Sequence, residues 1–200
     1  MRKVKAHVLE ADAARRAQMA RALAESGAHA EIYENIGELI ARPLASGFII
    51  ANHETIEASM GEADIGKLVH LIGLPVSVYA DKPFLPRVVR AMQEGAFDYM
   101  SWPISEEKLA SVVSNAEQLQ QTKLREMKER SEATSLVASL SMREREVLSL
   151  AIDGHSNKNS ARVLNLSPRT IEIHRANAFK KINARSVAEA IRIGILAGLS

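Results

Sequence analysis

Short apolar runs alternate with amphipathic stretches over the first half of the chain, and then the rhythm becomes purely helical. Ala6-His7-Val8-Leu9, Glu31-Ile32-Tyr33, Gly47-Phe48-Ile49-Ile50-Ala51, Pro75-Val76-Ser77-Val78-Tyr79-Ala80 and Phe97-Asp98-Tyr99-Met100 read as five strands. The third and fourth are compact apolar runs, the texture of parallel strands covered on both faces. Helical spacing runs from Ala13 to Ser26, stopped by Gly27, and from Arg87 to Glu94, stopped by Gly95. This alternation predicts an α/β domain: a doubly wound, five-stranded parallel sheet with helices on both faces.

From Ser105, the residues Leu109, Val112, Val113, Ala116 and Leu119 recur every three or four positions, so a helix is expected. Gln120 to Glu132 is rich in Gln, Lys, Arg and Glu and reads either as a long exposed helix or as a charged linker. Leu124 and Met127 extend the apolar stripe weakly, as a pairing or signalling helix would. From Leu136 onward every segment is helical. Ser141-Met142-Arg143-Glu144 has the spacing of a capping box, and so does Ser186-Val187-Ala188-Glu189. A short helix is expected over Asn157 to Leu164. Ser167-Pro168 supplies an N-cap followed by proline at the first helical position. The domains expected are 1–115 (α/β), 116–134 (charged helical linker) and 135–200 (all-α).

The 200-residue length suits one or two domains, since domains typically run to ~100–150 residues. The formal charge of +2 is unevenly distributed. Residues 1–115 carry 12 Lys and Arg against 15 Asp and Glu, net −3, whereas residues 135–200 carry 10 against 5, net +5. The basic excess thus lies in the helical domain, where a polyanionic partner would bind. There is no cysteine, which excludes disulfides, thiolate zinc sites and cysteine catalysis. No apolar run approaches the ~20 residues of a membrane span, and the basic start Met1-Arg2-Lys3-Val4-Lys5 has no long apolar stretch after it. A cytoplasmic location is expected.

Two short helices, a turn at Asn165-Leu166-Ser167 and a third helix make a helix-turn-helix. In the helix from Pro168, the residues Ile171, His174, Ala178 and Ile182 share one face, with Phe179 beside it, and are expected to pack inward. Arg169, Glu172, Ile173, Ala176, Asn177 and Lys180 share the opposite face. Arg suits guanine, Asn suits adenine, and Glu accepts from cytosine. Arg175 and Lys181 flank this face and suit phosphates.

The stretches Leu140-Ser141-Met142-Arg143-Glu144-Arg145-Glu146-Val147-Leu148, Gly154-His155-Ser156-Asn157-Lys158, Leu166-Ser167-Pro168-Arg169-Thr170-Ile171-Glu172-Ile173-His174-Arg175-Ala176-Asn177, Lys180-Lys181-Ile182 and Ala184-Arg185-Ser186-Val187-Ala188-Glu189-Ala190 carry a resemblance. In this order and spacing they resemble the DNA-binding domain of LuxR/FixJ/NarL-type regulators. The resemblance implies a four-helix domain whose third helix reads double-stranded DNA and whose last helix often pairs two copies, so a homodimer is expected. By position it implies that Arg169, Thr170, Glu172, Ile173 and Ala176 face bases, with Lys158, Arg175, Lys180 and Lys181 near phosphates. Ser160 stands where the family usually has a branched apolar core residue, an exchange expected to back-bond to the helix or loosen the packing.

The first 115 residues resemble a FixJ-type, CheY-like receiver through His7-Val8-Leu9, Gly47-Phe48-Ile49-Ile50, Pro75-Val76-Ser77-Val78 and Gly95-Ala96-Phe97-Asp98-Tyr99. A working receiver needs an acidic pair for a divalent cation, an aspartate nucleophile, a hydroxyl and a lysine. By position these become Glu10-Ala11, Asn52, Ala80 and Trp102. An amide forms no acyl phosphate, and losing carboxylates removes the oxygen ligands magnesium requires. No aspartyl phosphorylation is expected at the usual site.

Other chemistry finds little support. His53 reads as a polar loop residue, His155 as structural and His174 as a packing residue, and Asp81-Lys82 reads as a solvated turn. The six histidines lack metal-ligand spacing. No phosphate-cradling loop or hydrolase signature occurs, so no enzyme activity, cofactor or metal is expected. Three readings remain open at this level. The first is a DNA-binding regulator, either locked in one state by Trp102 or switched by a partner protein or small ligand at the receiver-like domain. The second is an interaction module that binds another regulator or a kinase and binds DNA weakly. The third is a regulator phosphorylated elsewhere, for example on Asp12.

Overall fold

The computed structural model describes residues 4–41, 43–61 and 65–199. The expectation built on Met1, Arg2 and Lys3 lies outside the described residues. The chain divides into two compact units, Met1–Thr122 and Lys123–Ser200.

The first unit contains β1 (Lys5–Leu9), α1 (Ala13–Glu25), β2 (His29–Tyr33), α2 (Ile36–Ile40), β3 (Phe48–Asn52), α3 (His53–Met60), α4 (Ile65–Ile72), β4 (Val76–Ala80), α5 (Leu85–Gln93) and β5 (Asp98–Ser101). The strands are parallel in the order β2-β1-β3-β4-β5. That order reverses between β1 and β3, and open sheets of this kind place ligands outside the carboxyl ends of their strands at such a point.

Alternate residues feed two apolar layers. Ala6, Val8, Phe48, Ile50, Tyr79 and Met100 pack with Met19 and Leu23 of α1 and with Leu109, Val112 and Ala116 of α6 (Glu106–Ala138). Leu9, Ile49, Ala51, Val76 and Val78 pack with Leu39, Ile56, Leu68 and Ala91 of α2 to α5. β3 and β4 are buried along their whole length, as their unbroken apolar texture requires. Gly47, expected as the first residue of β3, instead precedes it with φ +112°. A Cβ there would lie 2.5 Å from the carbonyl oxygen of Lys5, so β1 and β3 approach over a position only glycine fits.

The 33-residue α6 includes the expected linker, and Gln120 to Glu132 is helical. Leu124 and Met127 are exposed. In the second unit Ala133, Val137 and Leu140 join a core with α7 (Met142–Ile152), α9 (Pro168–Lys181) and α10 (Val187–Leu196). Val147, Ala161 and Ile171 bind α7 and α9 to α8 (Asn157–Leu164). Ser160 is buried next to Ala161, and α8 runs through it unbroken. The α8–α9 turn is set by Asn165 in the left-handed region, φ 52° and ψ 48°, which asparagine tolerates better than most residues. Ser141 and Glu144 form the capping box of α7. The second expected box differs: Ser186 caps α10, but the Glu189 carboxylate accepts from the Arg185 amide rather than from Ser186. Among the described residues no helix is long and apolar enough to cross a membrane.

Candidate functional site

Glu10, Ala11, Asn52, Ala80 and Trp102 gather at the carboxyl ends of β1, β3, β4 and β5, where the strand order places a ligand crevice. A cavity of about 360 Å³ opens there, lined in part by Glu10, Asp12, Arg15, Asn52, Thr55 and Asp81. Asn52 is buried, and its Oδ1 accepts from the Thr55 amide at 2.8 Å and from the Thr55 hydroxyl at 3.0 Å. It is therefore the N-cap of α3, a role worth roughly 1 kcal/mol. Thr55 Oγ1 also accepts from the Ala11 amide at 3.0 Å, tying the turn after β1 to the first turn of α3.

Glu10 is buried, and both its oxygens are engaged. Oε2 accepts from the Tyr79 hydroxyl at 2.7 Å and Oε1 from the Asp12 amide at 2.8 Å. Burial, then the bond to Glu10, holds the Tyr79 hydroxyl far above its ordinary pKa, so it stays a donor. Asp12 is exposed and caps α1 by accepting from the Arg15 amide. Arg15 makes a bidentate pair with Asp81 at 2.6 and 2.7 Å, and this bond raises its pKa further. Asp81 lies in an exposed bend, as expected, and is in addition fastened to α1. The Arg15 guanidinium lies 5.8 Å from the centroid of Trp102, and the Trp102 ring packs 5.6 Å from Tyr79. A divalent cation does not fit this set. The two Glu10 oxygens are already bonded, Ala11 has no side-chain ligand and its carbonyl accepts from Arg16, and a guanidinium holds Asp81.

Trp102 is the chain's single tryptophan, so its fluorescence reports on this pocket alone. Arg15→Ala removes the stacked cation and uncovers the ring, so acrylamide quenching is expected to rise and the emission to shift red. An unchanged spectrum would mean that Arg15 does not cover Trp102 in solution.

His53, expected as a polar loop residue, is instead buried as the first residue of α3, 3.0 Å from the Tyr99 hydroxyl. Burial pushes the Tyr99 pKa up to about 12.

In the second unit, α9 buries Ile171 and Ala178, Ile182 is buried just beyond its end, and His174 is half-buried. Arg169, Glu172, Ile173, Ala176, Asn177 and Lys180 are exposed, Thr170 is half-buried, and Lys158 is exposed on α8. One side of α9 is therefore free for a partner while the other is fixed in the core. Arg169 and Glu172 pair at 3.0 Å. Both are well exposed, so the pair contributes little and is readily exchanged for other partners. Thr170 shares a 2.8 Å hydroxyl contact with the cap Ser167. Arg175 donates to Asn157 Oδ1 at 2.9 Å and lies 5.4 Å from the Phe179 centroid. Lys181 donates to the buried Glu144 at 2.7 Å.

Bonds from Lys181 and then from Ser141 hold the Glu144 carboxyl at about 2, below its ordinary 4.5. A depressed carboxyl stabilises the folded state above its unfolded pKa and loses that contribution as pH falls. The second unit should therefore lose stability as pH drops from about 4.5 towards 2, and Glu144→Gln should flatten that part of the curve in urea melts read by circular dichroism. Parallel curves for the two proteins would contradict this.

The model for bacterial regulatory proteins of the LuxR family matches residues 138–193, which include α7, α8, α9 and most of α10. The response regulator protein TmoT of Ectopseudomonas mendocina is 30% identical over 152 residues, covering 75% of this chain and 68% of the relative. The chain belongs to the LuxR-family response regulators of the FixJ type. The transcriptional regulatory protein FixJ of Bradyrhizobium diazoefficiens is 34% identical over 125 residues, 62% of this chain and 61% of the relative. The matched stretches cover about three fifths of the FixJ relatives' own length. Among solved structures, full-length FixJ from B. japonicum aligns over all of both chains with a TM-score of 0.57 and 27% identity. StyR aligns over 96% of this chain and 98% of its own with a TM-score of 0.71 and 25% identity.

The first unit keeps the five-stranded fold, and around the crevice Arg15 pairs with Asp81 and Tyr79 donates to Glu10. Sequence reasoning placed Glu10, Asn52, Ala80 and Trp102 at this crevice but missed Arg15, Thr55 and Tyr79. Arg15 and Asp81 are 66 residues apart, and no local pattern links them. It also missed Asn157 as the partner of Arg175 and Lys181 as the partner of Glu144.

Proposed function

We propose that this chain is a sequence-specific, DNA-binding transcriptional regulator of bacterial genes that acts without aspartyl phosphorylation. The observation that carries the second half is Asn52: the residue at the acceptor position is an amide, buried and engaged as the cap of α3. Trp102 in place of a lysine and the closed Arg15–Asp81 pair support the same reading. The DNA-binding half rests on family membership and on the exposed face of α9. Arg169, Thr170, Glu172, Ile173 and Ala176 are assigned to base edges, with Lys158 and Lys180 beside the phosphates. It acts in the cytoplasm, where the DNA is, and not as an enzyme.

A homodimer fits this role, because paired readers favour near-palindromic half-sites. Phe84, Leu85, Val89 and Met92 form an exposed apolar stripe along α5, which favours a protein partner at the first unit, a second copy included. The test is to incubate the protein with acetyl phosphate and magnesium, then measure its intact mass and its DNA affinity. Both should stay unchanged. A phosphoryl adduct, on Asp12 or elsewhere, that alters DNA affinity would sink the phosphorylation-independent reading.

A further inference from the structure

Two of the basic side chains beside the reading face bond to other helices, the exposed Lys181 and the half-buried Arg175. Lys181, at the last position of α9, donates to Glu144 on the first turn of α7. Arg175, at the middle of α9, donates to Asn157, the first residue of α8. Both Arg175 and Asn157 are half-buried, whereas Lys158 and Lys180 are exposed. The Arg175 guanidinium also lies over the ring of Phe179, four residues further along the same helix. An arginine held by a hydrogen bond on one side and an aromatic ring on another has a fixed position.

We infer that Arg175 and Asn157 form a positioning pair that sets the angle of α9 against α8, and that Arg175 neutralises no DNA phosphate. This rests on the DNA-binding reading above. The angle matters because α8 and α9 are the two helices of the helix-turn-helix, and bidentate base contacts tolerate little displacement. The pair therefore serves selectivity, while general attraction to DNA comes from the exposed lysines.

Selectivity and charge neutralisation have different signatures. Each phosphate neutralised contributes about 0.9 to the slope of log affinity against log salt, whatever the sequence. Arg175→Ala, Asn157→Ala, the double variant, Arg175→Lys and Lys180→Ala are measured on two duplexes. One is the duplex that the wild-type chain selects from random-sequence DNA, and the other is a random-sequence duplex. Melting curves confirm that each variant is folded at the assay temperature.

We expect Arg175→Ala to lose about tenfold on the selected duplex, the scale of one base contact. It should lose almost nothing on the random duplex, with its salt slope unchanged. Asn157→Ala should match it, and the double variant should be no worse than either, as for two halves of one device. Arg175→Lys keeps the charge but not the planar fork, so it should behave like Arg175→Ala. Lys180→Ala should weaken both duplexes and lower the slope by about 0.9.

Equal losses on both duplexes with a reduced slope for Arg175→Ala, rescued by Arg175→Lys, would make Arg175 a phosphate ligand and overturn the inference. No change on either duplex would reduce the pair to a structural contact, which also overturns it. A wild-type chain that selects no sequence would fail the DNA-binding reading itself, and that is visible before any variant is made.

Discussion

Replacing Arg169 with alanine is expected to lower affinity for the preferred duplex by about 10- to 100-fold, the 1–3 kcal/mol of a bidentate base contact. Affinity for random-sequence DNA should change little. Arg169 is the second residue of α9, just past the Ser167 cap and Pro168, so its backbone is fixed while its side chain is exposed. Its present partner, Glu172, also lies on the exposed face and holds it only by a surface ion pair. Leaving that pair for a guanine edge costs little. Gel-shift titrations of wild type and variant on both duplexes test this. A uniform loss on both would mean that Arg169 contacts the phosphate backbone instead.

Asn52→Asp is expected to leave the receiver unit as unreactive to acetyl phosphate as the wild type. The substitution restores the nucleophile but nothing around it. An aspartate keeps the two acceptor bonds to Thr55, so the variant should fold. The variant would still have Ala11 and Ala80 where the receiver resemblance calls for a ligand and a hydroxyl, and Trp102 where it calls for a lysine. Glu10 would remain tied to Tyr79 and Asp12, and Asp81 to Arg15. Phosphoryl transfer depends on charge neutralisation in place before attack, so a lone carboxylate gains nothing measurable. Intact-mass spectrometry after incubation with acetyl phosphate and magnesium reads the outcome. An adduct on the variant would show that the amide alone silenced the site and that the surrounding changes are incidental.

β3 and β4 were legible as short apolar runs bounded by turn residues, and they needed no alternation once both faces were covered. α2, α3 and α4 were not legible. α2 is only five residues long, and α4, Ile65-Gly66-Lys67-Leu68-Val69-His70-Leu71-Ile72, is too short and too apolar to separate from a strand by period alone. α7 and α9 announced themselves through Ser141 with Glu144 and Ser167 with Pro168, because cap chemistry is local. The apparent box at Ser186 and Glu189 failed in detail, since a glutamate three residues on can reach the amide of Arg185 as easily as that of Ser186.

The candidate sites followed the same divide. The resemblance pointed to Glu10, Asn52, Ala80 and Trp102 because each sits at or just past the end of a recognisable strand. What those residues bond to could not be read. The Arg15–Asp81 pair, the Tyr79–Glu10 bond and the burial of His53 against Tyr99 join residues far apart in the chain, and only the folded sheet brings them together. The same holds for Lys181. It flanks the reading face as a phosphate contact would, and only the fold shows that this exposed side chain also bonds the buried Glu144.

The most direct test of a phosphorylation-independent regulator is the retention of genomic DNA fragments at near-physiological salt by the purified, never-phosphorylated full chain, with Arg169→Ala in parallel. The wild type should retain a small set of fragments sharing a common sequence, and the variant should lose that selection. Weak, salt-labile and unselective retention by both proteins would contradict the account.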